Sequence, residues 1–189
     1  VASAPTAAWS IASSSGAVDI ADLPAIMPRG EHGAMAEIAI ASAKTGRCVR
    51  VAKNESGAVH LNLTEGGHGR ALIVVEDGAS LALQETMLAA DFANVAVEII
   101  IGKNARLMHV RHAPHNDAVQ VADYSVRVAE GGVYRAHFAD FGGKLSRTEL
   151  HIALDGAGAQ THLSGVGALN DGHADVTAHV IHASDKTLS

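Results

Sequence analysis

The 189 residues carry 14 Lys plus Arg against 20 Asp plus Glu, a formal charge of −6, with the basic residues spread along the chain rather than gathered in a stripe. That balance excludes a surface built to track a phosphate backbone, so no nucleic-acid partner is expected. A single cysteine, Cys48, excludes an internal disulfide and any CxxC motif, and no apolar run reaches the 18 residues of a membrane-spanning helix. With an opening VASAPTAAWSIASSSG that lacks the charged start and apolar run of a signal peptide, these features predict a cytoplasmic protein with no membrane partner, large enough to bury its own core.

Residues 1–30 mix Ala, Ser and Pro, with Pro24, Pro28 and Gly30 near the end, and sustain neither a 2-residue nor a 3.6-residue period, so they are read as an irregular lead-in or linker. The remainder, 31–189, is read as one main domain. From Glu31 to Lys44 the sequence EHGAMAEIAIASAK puts Met35, Ile38 and Ser42 on one face of a short helix, with Gly46 as its stop.

Beyond Gly46 the period becomes 2. Val49 and Val51, then Val59, Leu61 and Leu63, then Val95, Val97, Ile99 and Ile101 alternate with other residues, as do Tyr124, Val126 and Val128, and Leu150, Ile152 and Leu154. This is the pattern of half-buried strands. The strands meet similar turns at EDGASLAL, IGKNARLM, AEGGVYRA and LDGAGAQT, and the intervals between Gly78, Gly102, Gly131 and Gly156 are 24, 29 and 25 residues. Such a loose repeat suits the coils of an all-β solenoid, and 3% aromatic content suits thin packing of small aliphatic side chains. Antiparallel hairpins rolled into a jelly roll would show the same strands and Gly turns, and spacing leaves both architectures open.

Twelve histidines invite a metal hypothesis. The densest cluster, MHVRHAPH, holds His109, His112 and His115, but residues three apart on a strand point to opposite faces and Pro114 suits a strand end. The preferred reading is histidines in a surface corner rather than a metal site. His179 and His182 meet the same objection, although His182 shares the parity of Val176, Ala178 and Val180 and is read as a core histidine or part of a partner contact. Cys48, between Arg47 and Arg50, would be favoured as a thiolate if exposed, but a small buried hydrophobe is preferred. The chain has neither GxSxG nor GxxxxGK[ST], and EGGHG at Glu65 does not open a predicted helix, so no catalytic residue is assigned.

From Gly142 the sequence runs GGKLSRTELHIALDGAGAQTHLSGVGALNDGHADVTAHVIHASDKTLS. This string resembles the core of the SufD family of iron–sulfur assembly proteins, through Gly142, Gly143, Arg147, Glu149 and Leu150, then Leu154, Gly156 and Gly165, then Asp175, His182 and Ser189. Upstream, the helix, Gly46 to Lys53, and the turn at Gly78 and Ala79 follow in order, so the resemblance spans about residues 34–189. It implies a right-handed parallel β-helix with a short N-terminal helix. It further implies a non-catalytic scaffold that acts with a SufB-like homologue and the SufC ATPase, with any iron–sulfur cluster held only transiently in the complex and no cofactor of its own. Arg147, Glu149, Asp175 and His182 are matching positions to which no role is carried over. The family's amino-terminal helical region and the region past Ser189, including the SufC contact, are expected to be missing, and an open coil there would favour self-association through β-helix ends. The alternative is a metal-dependent, cupin-like barrel enzyme using His109, His112 and His115; a carbohydrate-binding or structural solenoid is a third reading.

Overall fold

The period-2 runs become strands where the alternation places them, and their pairing decides between the two architectures. In the computed structural model, which describes residues 7–24, 30–89, 91–169 and 171–189, the strands from β3 (Gly46–Val51) onward pair with one another only in parallel. A jelly roll needs antiparallel neighbours, so the fold is a parallel β-solenoid. Its coils are β3 with β4 (Ser56–Leu63), β5 (Gly67–Val75) with β6 (Ser80–Met87), β7 (Phe92–Ile101) with β8 (Arg106–Ala113), β9 (Val119–Val128) with β10 (Val133–Asp140), and β11 (Leu145–Leu154) with β12 (Gln160–Gly167). Then β13 (Ala174–His182) adds the last strand beside β11. From β3 onward, odd-numbered strands build one sheet and even-numbered strands the other.

Exact stacking makes the core. Val49, Ile73, Ile99, Val126, Ile152 and Val180 are successive partners across one sheet, and the first five are at most 1% exposed. Each such aliphatic side chain contributes about 1.5–3 kcal/mol by leaving water. Coils turn through residues with positive φ at Asn54, Gly78, Asn104, Gly131 and Gly158. At two corners, therefore, the left-handed residue is not the glycine expected from the sequence, Gly102 or Gly156, but lies two positions later. Asn tolerates this conformation through its short polar side chain, which explains why a search for glycine alone misplaces the repeat. The corners are stitched together: the amide of Gly78 donates to the Lys103 carbonyl at 2.8 Å, and that of Asn104 to Glu130 at 2.9 Å.

The lead-in is not irregular where it is described. β1 (Trp9–Gly16) pairs antiparallel with β4, and β2 (Val18–Asp22) pairs antiparallel with β3, so this hairpin covers the first coil with one strand in each sheet. Only Trp9 on β1 is buried, and the Ser-rich remainder faces solvent, which hides the strand period. Pro28 and the rest of 1–6 and 25–29 lie outside the described residues.

The helix forms as expected but presents another face. α1 (Ala34–Ser42) lies on the outer face of the odd-numbered sheet and buries Ala36 and Ala39 against Ala96, leaving Ile38 46% exposed. Alanines let the helix approach the flat sheet more closely than Met35 and Ile38 would. The helix ends at Ala43, and Gly46 already belongs to β3.

Candidate functional site

Register alone gathers a set of ionisable residues on the outer face of the odd-numbered sheet. Gly46, Arg70, Ala96, Asp123, Glu149 and Thr177 are successive partners. Two residues further along the same strands run Cys48, Leu72, Glu98, Ser125, His151 and His179. Residues two apart on a strand share a face, so Glu98, Asp123, Glu149 and His151 form one group.

The strap leading into α1 lies over it. His32 sits between two carboxylates, with Nδ1 2.6 Å from Asp123 Oδ1 and Nε2 2.7 Å from Glu98 Oε1. The amide of Gly30 donates to Glu98, and that of Gly33, at the amino end of α1, donates to Asp123 Oδ2 at 2.8 Å. Burial pulls the His32 pKa down, but the hydrogen bonds to Asp123 and Glu98 and their charges outweigh it and lift the value to about 9. At neutral pH the ring is an imidazolium that donates from both nitrogens. Its folded pKa lies above the ordinary 6.5, so the stability it contributes is fully present below pH 6.5 and is lost as pH rises through about 9.

Next to this anchor, Asp123, Glu149 and His151 each bring one potential ligand atom within 4.8 Å of the other two. His151 Nε2 is 3.6 Å from Asp123 and 3.9 Å from Glu149, and this buried nitrogen has no hydrogen-bond partner among the described residues. The His179 ring stacks on that of His151 at 5.3 Å and 12°. Arg147 Nε holds Glu149 Oε1 at 2.8 Å, and Arg147 Nη1 lies 3.7 Å from Asp175. Three of the four positions matched in the resemblance thus meet here.

The fourth does not. His182 continues the inward column of Val128 and Leu154, as its parity predicts, but it is exposed rather than a core residue, because β13 is the end strand of its sheet. It lies within hydrogen-bond reach of Thr187 Oγ1 at 2.6 Å and Ser189 Oγ at 3.1 Å.

The histidine cluster separates as strand geometry requires, yet one member is not at the surface. His109 is 1% exposed and points into the solenoid, while His112 sits half-buried against Phe141 and His115 is exposed at the corner. His109 Nε2 lies 3.1 Å from Glu85 Oε2 and Nδ1 lies 3.1 Å from the Tyr134 hydroxyl. The Tyr124 hydroxyl donates to Glu85 at 2.8 Å. Burial pushes both tyrosines up, so both remain protonated donors. Arg111, paired with Glu85 across the β6–β8 ladder, is fully buried, 3.7 Å from Asp140, with no hydrogen-bond partner for its guanidinium among the described residues. Sequence reasoning missed this group although a signal exists: Glu85 follows Leu81 and Leu83 on the inward parity, and Arg111 follows Leu107 and His109.

Cys48 is half-buried on the outer face. Burial first and Asp19 second raise its pKa against the opposing pull of Arg50, so it stays a thiol. EGGHG runs into β5 and opens no helix. Among the described residues no helix is long and apolar enough to cross a membrane.

Residues 54–189 match the family described as SUF system FeS cluster assembly, SufBD core domain. The match takes in every strand from β4 onward and both polar clusters, but not the strap carrying His32. No curated protein and no solved structure matches the chain.

Proposed function

Since the chain belongs to the SufBD core domain family of the SUF iron–sulfur cluster assembly system, we propose that it is a SufD-like, non-catalytic scaffold subunit working with a SufB-like homologue and the SufC ATPase. The observation that carries this reading is the family match over residues 54–189, which contains the whole ordered string from Gly142 to Ser189. The SufD assignment within the family rests on that string.

Leu163 on β12 and Val176 on β13 continue the inward columns yet are 38% and 54% exposed, and Leu188 bridges β12 at Gln160. We take the partner to be the SufB-like homologue or a second copy. Any iron–sulfur cluster is then held by the complex.

Affinity capture of the tagged chain after co-expression with SufB and SufC tests the role. Stoichiometric recovery of the SufB-like protein is expected. Recovery of neither protein, with the chain folded, would sink the reading, while a concentration-dependent homodimer in light scattering would move the partner to a second copy.

A further inference from the structure

Asp123, Glu149 and His151 are brought to one point by the ladder, not by neighbouring sequence. We propose that they form a binding site for one divalent first-row transition ion on the outer face of the solenoid, next to the strap and independent of the assembly role proposed above.

The argument starts from spacing. Ligand atoms around a tetrahedral ion with ~2.1 Å bonds lie about 3.4 Å apart. The 3.6 and 3.9 Å from His151 Nε2 to the two carboxylate oxygens are near that separation and too long for hydrogen bonds. His151 Nε2 is also buried without a hydrogen-bond partner among the described residues, although its ring is held by the stacked His179. A ring nitrogen fixed in front of two carboxylates, bonded to neither, is placed to ligate rather than to donate.

The surrounding groups orient the ligands. His32 engages the other oxygen of Asp123, the Gly33 amide steadies Oδ2, and Arg147 takes Oε1 of Glu149, leaving Oε2 to face His151. Partners of this kind set ligand direction in protein metal sites. Two carboxylates and one imidazole suit Mn²⁺, Fe²⁺, Co²⁺ or Zn²⁺ rather than soft ions, and three protein ligands leave a position for water or a further group. Access exists from one side: a cleft of about 270 Å³, lined by Gly30, Glu31, Ser125, Arg127, His151 and Ile181, opens beside the imidazole.

Gly33 supplies a probe that substitutes none of the three ligands. Its φ of −76° is open to alanine, but an added Cβ would lie 2.1 Å from Glu149 Oε2, so the flexible Glu149 side chain must move away. The test is calorimetric titration of the chelator-stripped full chain with Mn²⁺ and Zn²⁺. One saturable ion per chain is expected, weakened at least about tenfold by H151A, E149Q and G33A, and unchanged by H112A and H115A. Circular dichroism establishes that each variant is folded. Should the variants misfold, NMR of the wild-type chain decides: Mn²⁺ should broaden the His151 and His179 imidazole resonances first. Saturable binding lacking in the wild type, binding retained by folded H151A, or equal broadening of all histidines would overturn the site. Failure to capture SufB or SufC would leave it standing.

Discussion

The cluster inside the solenoid and the cluster on its outer face draw on the same residue types and treat them differently. Inside, Glu85 receives the Tyr124 hydroxyl and His109, and His109 reaches Tyr134 with its other nitrogen. Outside, His151 faces Asp123 and Glu149 at distances that no hydrogen bond spans. Inside, the groups are paired apart from the Arg111 guanidinium, as burial demands, whereas the His151 imidazole beside its cleft keeps an unpaired nitrogen that a ligand can take. The contrast locates structural demand inside and chemical opportunity outside.

Removing Glu85 should break it most severely. The E85A variant strands His109 and the Tyr124 hydroxyl and leaves Arg111 with Asp140 alone, so a loss of about 3–5 kcal/mol in urea unfolding is expected. If E149A costs as much, the two clusters do not differ as described. A middle effect belongs to the strap: H32A should lose about 1.5–3 kcal/mol and speed amide exchange through α1 while the β8 amides stay protected. The smallest belongs to His182, exposed on the end strand, where H182A should stay within about 0.5 kcal/mol of wild type. A larger loss in the isolated chain would mean that the end column is packed after all.

Legibility follows the same divide. Strands whose inward positions are Val, Ile and Leu announce themselves by parity, and residues from Val49 to Leu154 sit where that parity puts them. β1 escaped notice because its neighbours give it an edge to pair with but little to bury. The helix was found, yet its buried face was not, since alanines at Ala36 and Ala39 carry no amphipathic contrast against Met35 and Ile38. The inner cluster was half visible, as charged residues on an apolar parity. The outer cluster was not: Asp123, Glu149 and His32 are separated by 26 and 91 positions and meet only because coil register and strap placement bring them together. For the same reason His109, His112 and His115, close in sequence, end on different faces.

The position of His32 bears on how the solenoid comes apart. Coils stacked in a row hold mainly to their immediate neighbours, so such a body tends to fray one layer at a time from an end. Glu98 lies on β7 and Asp123 on β9, and a single imidazolium grips both. That residue works as a staple across two layers, joining β7 and β9 to a segment outside the stack. Fraying from the β13 end should therefore pause at β9, with β7 and β9 opening together as one cooperative unit.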